Sequence, residues 1–342
     1  MSTTARDPKS HLNVIVVGAG VFGRNHLRIY RELEQAGIPV HLTAVVDTDP
    51  PTANAAAAIA GVPAFTTVEQ CLLTVGVPDA ASVCVPTLHH STASDPLLRA
   101  GVDILIEKPL ASSLSDADHI LNLSRWSGSL VQTGHLERFN PAVTAARPYL
   151  TRPMFFEAHR LSIFTPRSLD IDVVLDLMIH DLDIVLSYVS SPVREIRAVG
   201  LPVLSGKVDI ANVRLEFQNG AIANFTASRV STERVRKLRF FQPRQYLSLD
   251  FARQDLLIID APDITPLTTL PPTSPSHPSA GLSLQQIPVQ TGEPLRLEIE
   301  SFLNSVRTRQ TPAVSGADGR AALKLALDIN AAIRDHATRA GL

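Results

Sequence analysis

Between Leu12 and about Phe139 the chain alternates short apolar runs with stretches of helical periodicity. The runs LNVIVVGAG, HLTAVVD, VPAF, DAASVCVPT, VDILIEKPL and LVQTGHLERF are rich in Val and Ile and apolar on both faces. Strands of a parallel sheet covered on both sides have that character. Residues 24–36, 67–74, 90–100 and 115–126 read as intervening helices; the last opens on Ser115 with Asp118 three positions on, a variant of the capping box. Alternation of this kind over six repeats predicts an α/β domain, residues 1–140, built on a doubly wound parallel sheet.

After about Arg152 the pattern changes to longer alternating strands joined by hairpins. RLEFQNGAIANFTAS reads as two strands around Asn219-Gly220, a dipeptide that predicts a type I′ turn. VRKLRFFQPRQYLSLDFARQDLLIID continues in the same style. One helix, residues 173–188, interrupts the strands, with Val174, Leu175, Met178, Leu182, Val185 and Leu186 as its apolar positions. Residues 141–342 therefore read as an α+β domain with a large open, mainly antiparallel sheet. Helical segments at 294–308 and 316–334 close the chain and are expected to pack on one or both domains. The Pro/Ser/Thr-rich stretch 265–283 reads as a long surface loop.

Composition narrows the function classes. With 342 residues and 45% hydrophobic content, two domains can each bury a core. The balance of 31 Lys+Arg against 33 Asp+Glu leaves a net charge of -2 and no electrostatic footprint for nucleic acid or an anionic membrane surface. Any partner must be recognised by a few placed groups. Cys71 and Cys84 lie in no disulfide or metal-ligand spacing, and the polar N-terminus MSTTARDPKS lacks a signal-peptide core. The chain thus reads as cytoplasmic, with no membrane segment and no metal.

The first strand runs into Gly18-Ala19-Gly20-Val21-Phe22-Gly23, a G-x-G-x-x-G, and Asp47 ends the second strand twenty-four residues after Gly23. Gly18 permits the tight turn, Gly20 lets the backbone approach a pyrophosphate, and Gly23 lets helix and strand pack closely. The helix N-terminus offers N–H groups to the phosphates. This predicts a Rossmann dinucleotide site that includes Val21 and Phe22. Asp47 suits ribose hydroxyls and repels a 2′-phosphate, and Thr48 and its followers supply no Arg or Lys, so NAD is expected rather than NADP. Pro86, Thr87 and His90 end the fourth strand, and Glu107 and Lys108 the fifth, where ligands bind in open α/β sheets.

GAGVFG, the P-T-x-x-H of Pro86 to His90, the E-K-P of Glu107 to Pro109 and the D-x-x-x-H of Asp176 to His180 resemble, in this order, the glucose-fructose oxidoreductase/inositol dehydrogenase/rhizopine-catabolism family (Gfo/Idh/MocA). The similarity extends to PLRLEIESFLNSV near the C-terminus. GHLERFNP and VVLDLMIHDLDIV look most like the branch acting on UDP-linked amino sugars. One departure is Asp172-Val173-Val174, which replaces the paired glycines often found before the catalytic Asp. The resemblance implies NAD-dependent oxidation of the C3 hydroxyl of UDP-N-acetylglucosamine, upstream of an aminotransferase step toward lipid A. It also implies a homodimer or homotetramer.

Asp176 and His180, four apart, are expected on one helical face. His180 has a suitable pKa for a general base, Lys108 for a hydrogen bond to the same hydroxyl oxygen, and either can be the principal base. Asp176 orients the sugar or the catalytic groups. Asp183 completes an H-x-x-D, but no metal is implied. Arg138, Asn140, Arg160 and Arg167 are candidates for holding the substrate diphosphate, since guanidinium groups pair well with phosphate; the alternative for each Arg is an internal ion pair. His135 and His89 read as packing groups. The competing functions are another dehydrogenase of the family, for a UDP-sugar uronate or an inositol, and a non-catalytic dinucleotide-sensing regulator.

Overall fold

A computed structural model describes residues 11–164, 171–261 and 282–341. Arg167 and most of the Pro/Ser/Thr-rich stretch lie outside the described residues. By contacts the chain separates into two compact units, Met1–Leu136 with Glu293–Leu323, and Glu137–Gly292 with Lys324–Leu342.

The first unit alternates β1 (Leu12–Val17), α1 (Val21–Gln35), β2 (Val40–Val46), α2 (Pro50–Ala60), β3 (Ala64–Phe65), α3 (Val68–Val75), β4 (Ala80–Val83), α4 (His90–Arg99), β5 (Asp103–Glu107), α5 (Leu114–Ser127) and β6 (Val131–Gly134). All strand pairs are parallel, in the order β3-β2-β1-β4-β5-β6. The order reverses between β1 and β4, the switch point at which such sheets bind ligands. β4 and β5 are buried along their whole length, as strands covered on both faces must be.

Two local features differ from the sequence reading. Residues 50–60 form a helix that the apolar pattern did not mark, because its run of alanines has little amphipathic contrast. Its start is written in capping chemistry instead: Asp49 accepts from Thr52 N, with proline at the first helical position. Helix α5 is capped by Ser113, whose Oγ accepts from Asp116 N at 3.1 Å, two residues before the expected Ser115.

The second unit contains α6 (Pro141–Ala146), β7 (Phe155–Leu161), α7 (Ile179–Tyr188), β8 (Val193–Leu201), β9 (Ile210–Phe217), β10 (Ile222–Ser228), β11 (Val235–Gln242), β12 (Gln245–Asp250), β13 (Asp255–Asp260) and β14 (Ser283–Ile287). The eight strands run β14-β13-β12-β11-β7-β10-β9-β8, antiparallel except for the parallel pair β7 and β10. Burial alternates along β7, β9, β10 and β12, so one face carries the core and the other stays partly open. Phe156, Phe225 and Phe240 lie on the buried face, and Tyr188 of α7 meets Phe240 edge-on with ring centroids 5.6 Å apart.

The Asn219-Gly220 hairpin is not type I′. Gly220 has φ +86° while Asn219 stays at negative φ. The Asn219 side chain accepts from Ala221 N, and Phe217 and Ala221 close a three-residue loop. An Asx turn has taken the place of a second left-handed residue.

Helices α8 (Pro294–Thr308) and α9 (Gly316–Ala340) end the chain. Ile299, Phe302 and Val306 of α8 join the core of β1, β2 and α1. Each fully buried side chain of this size contributes about 1.5–3 kcal/mol relative to exposure. Among the described residues no helix is long and apolar enough to cross a membrane.

Candidate active site

In the first unit the β1–α1 turn forms the floor of a cavity of about 800 Å³. Gly18 sits at φ +94°, and a Cβ there would lie 2.6 Å from the Cys84 carbonyl. At Gly23 a Cβ would lie 1.7 Å from the Gly18 oxygen. At Gly20 a Cβ would meet nothing within 4 Å, so the missing side chain there opens space toward solvent instead of fitting a packed neighbour. Helix α1 begins at Gly20 with no side-chain cap and no acidic residue in its first turn. A dinucleotide pyrophosphate fits this cradle: the space at Gly20 is open and no side chain caps the first turn of α1.

Gly18, Gly20, Val21, Phe22, Asp47, Thr48 and Pro86 all line the cavity, and Gly23 packs beneath it. Asp47 ties the turn to β2: one carboxylate oxygen accepts from Ala19 N at 2.7 Å and the other from Asp49 N at 2.9 Å. The lining also includes His89, Thr52, Thr66 and Glu69, which sequence reasoning passed over or ranked low. These residues come from helix starts and loop ends whose direction no local pattern encodes.

Four expected cofactor contacts, Thr87, His90, Glu107 and Lys108, are not among the residues that line this cavity. Thr87 opens a short 3-10 turn, Thr87–His89, and is not among the cavity-lining residues. His90 is buried, with its ring nitrogens 3.0 Å from the Val85 and Pro109 carbonyls, so it fastens the ends of β4 and β5 to each other. Burial pushes its pKa down against the pull of those carbonyls. Glu107 turns inward: its Oε1 lies 3.0 Å from His26 Nε2, while His26 Nδ1 lies 3.0 Å from Ser82 Oγ and Tyr30 OH 2.9 Å from the same oxygen. Lys108, half-buried, follows this anchored residue and precedes Pro109 through a cis bond. Burial, with the Glu107 and Glu298 carboxylates, raises the pKa of the cavity-lining Cys84 thiol, so it offers no thiolate nucleophile.

In the second unit the helix read at 173–188 begins as a π-helical turn, Val174–Met178, before α7. Asp176 sits in that turn and His180 one turn later. Such turns are rare and frequent at functional sites. The helix cap is Asp172, not Asp176. Asp172 Oδ1 accepts from Val174 N at 2.9 Å and Leu175 N at 3.0 Å, and its Oδ2 accepts from Asn330. Arg229 donates to the Ile171 carbonyl and pairs with the buried Asp209, fixing the approach to the turn.

Three of the four expected diphosphate ligands, Arg138, Asn140 and Arg160, have partners inside the second unit; Arg167 lies outside the described residues. Arg160 is 3% exposed; it grips Asp181 with two hydrogen bonds of 2.9 Å and Glu137 with a third of 2.9 Å. Burial opposes its charge, but the two carboxylates outweigh that and keep it protonated. Arg138 lies 3.7 Å from the Asp183 carboxylate. Asn140 caps α6 and donates to Glu137 and the Phe251 carbonyl. The sequence held a signal for Arg160: in FFEAHRL it shares the alternation of Phe156 and Ala158 and so falls on the buried face. Among the described residues no group of three His, Cys, Asp or Glu is placed to hold a metal ion.

Residues 12–135 match the family described as "Oxidoreductase family, NAD-binding Rossmann fold", and residues 144–243 match the "GFO/IDH/MocA C-terminal domain". The UDP-N-acetylglucosamine 3-dehydrogenase of Acidithiobacillus ferrooxidans is 33% identical over 94% of this chain and 97% of its own. Its solved structure superposes with a TM-score of 0.85 over 94% of this chain and 97% of that one. The myo-inositol 2-dehydrogenase of Thermotoga maritima is 25% identical over 72% of this chain and 75% of its own. The chain belongs to the Gfo/Idh/MocA family of oxidoreductases, which bind NAD on a Rossmann domain.

Proposed function

We propose that the protein oxidises the C3 hydroxyl of UDP-N-acetylglucosamine to the 3-keto sugar. The observation that carries this reading is the near-full-length likeness to the Acidithiobacillus enzyme, at 33% identity and a TM-score of 0.85. NAD, when bound, supplies the hydride acceptor. His180 takes the hydroxyl proton, and Lys108 hydrogen-bonds the same oxygen and limits build-up of positive charge on His180. Asp176, one helical turn before His180, orients the sugar or the imidazole. Gly18, Gly20, Val21, Phe22, Asp47 and Thr48 hold the dinucleotide, with the Asp47 carboxylate selecting against a 2′-phosphate.

A 3-keto amino sugar is a substrate for transamination, so the reaction stands before an aminotransferase step to a 2,3-diamino sugar and lipid A. We place it in the cytoplasm as a homodimer or homotetramer, which light scattering tests directly. The decisive assay follows NADH formation with UDP-N-acetylglucosamine, a UDP-sugar uronate and myo-inositol. Turnover of myo-inositol alone overturns the substrate, and full activity in both His180→Ala and Lys108→Ala overturns the mechanism.

A further inference from the structure

Arg138, Asn140 and Arg160 are engaged internally and Arg167 lies outside the described residues, so among the described residues another cation is needed to meet the charge of a nucleotide diphosphate. Strands β7 and β11 are neighbours, and Arg236 stands directly opposite Arg160. Arg236 shares the parity of Leu238 and Phe240, so it lies on the buried, α7-facing side of the sheet. Like charges directly opposite one another on a sheet repel. Arg160 is compensated by Asp181 and Glu137, but Arg236 reaches that same Glu137 oxygen only at 4.0 Å, where Arg160 already sits at 2.9 Å.

Arg234, exposed two residues earlier, adds a further like charge to the surroundings of Arg236. Burial and the like charges of Arg160 and Arg234 lower the Arg236 pKa, with Glu137 pulling the other way. The two cations differ in access: the Arg160 side chain is 4% exposed and that of Arg236 48%. Arg236 therefore presents a charge-rich fork to solutes, one strand away from the clamp that holds Asp181 beside His180.

We propose that Arg236, assisted by Arg234, binds the diphosphate of a nucleotide-linked substrate. The guanidinium fork matches phosphate geometry, and an arriving dianion removes the repulsion across the strand pair. This rests on the nucleotide-sugar reading above and names the residue that separates such a substrate from an uncharged polyol.

The test uses the full chain with NAD present, in the variants Arg236→Gln, Arg236→Lys and, as a control on the opposite face of β11, Lys237→Gln. UDP alone is titrated calorimetrically, and KM and kcat are measured with UDP-N-acetylglucosamine. Arg236→Gln is expected to weaken UDP binding and raise KM by about tenfold or more, with kcat within about twofold of wild type. Arg236→Lys should fall between, and Lys237→Gln should match wild type. Wild-type UDP affinity in a folded Arg236→Gln protein overturns the inference while leaving the oxidation reading intact. UDP binding that depends on Arg236 in a protein unable to oxidise UDP-N-acetylglucosamine supports the site and overturns that reading instead.

Discussion

At Gly23 the first unit has no room for one methyl group, whereas at Arg160 the second unit buries an entire guanidinium. The first unit builds its cavity from backbone: a turn too tight for side chains, a helix start without a side-chain cap, and an Asp47 carboxylate that pins the turn. The second unit positions its groups with charge: Arg160 between Asp181 and Glu137, Arg229 on Asp209, Arg138 beside Asp183. Backbone makes a site for any phosphate that can approach it. Buried ion pairs fix one arrangement, and they penalise heavily the loss of either partner.

The largest effect should come from breaking that charge. Asp181→Asn leaves Arg160 buried with half its compensation, and stability should fall by about 3–5 kcal/mol in urea unfolding. Replacing the set together, with Arg160→Met, Asp181→Leu and Glu137→Gln, should recover most of that loss, because no buried charge is then left without a partner. Activity should not recover with it if the clamp sets the orientation of His180. An Asp181→Asn protein with the wild-type urea midpoint would show that the pair contributes nothing to the fold.

The backbone-built site breaks differently. Gly23→Ala forces a Cβ to 1.7 Å from the Gly18 oxygen, and the turn must move. A loss of about 3 kcal/mol, the upper end of overpacking costs, should accompany a fall in NAD affinity of more than about tenfold. Gly20→Ala is the sharper probe, since its Cβ would meet nothing. Stability should stay within about 0.5 kcal/mol while NAD affinity drops. Unchanged NAD affinity in Gly20→Ala would move the pyrophosphate away from this turn.

The same contrast decides what was legible beforehand. Gly18, Gly20 and Asp47 are readable because the backbone constraint is local and each residue type has few other reasons to sit there. Strand alternation likewise gave both sheets. Arg138 and Arg160 stayed open between two readings because an arginine that binds phosphate and one that binds a buried carboxylate look alike until its partners are placed. His90 and Glu107 belong to the motifs at the ends of β4 and β5, yet face the carbonyls of Val85 and Pro109 and the imidazole of His26. The π turn left no mark in the apolar spacing, and the Asn219 turn went astray because a side-chain hydrogen bond replaced a backbone angle.

Asp209 puts pH into the comparison. Burial raises its pKa, but the Ser205 hydroxyl and the N–H groups of Val203, Leu204 and Ser205 outweigh this and hold the carboxyl well below the usual range. A carboxyl depressed in the folded state adds stability above its unfolded pKa of about 4, and that stability disappears as pH falls toward the folded value. Asp209→Asn should cost about 2 kcal/mol at pH 7, and the gap to wild type should narrow below about pH 4. A gap that stays constant down to pH 2 would mean that packing, not charge, makes Asp209 matter.

The smallest effect tests the first unit's exception, the buried chain Tyr30, Ser82, His26 and Glu107 that ends one residue before Lys108. His26→Gln keeps a hydrogen-bonding side chain of similar reach, so about 1 kcal/mol of stability should be lost. If the chain also holds Lys108 in place, kcat should fall about fivefold, the rate equivalent of about 1 kcal/mol, with NAD affinity unchanged. Its pH dependence should move as well, a change that weaker folding alone does not produce. Glu107→Gln should then add little in the His26→Gln background, because both act through one contact. A His26→Gln enzyme with wild-type kcat and pH profile would reduce the chain to packing, and every position holding Lys108 would then be backbone.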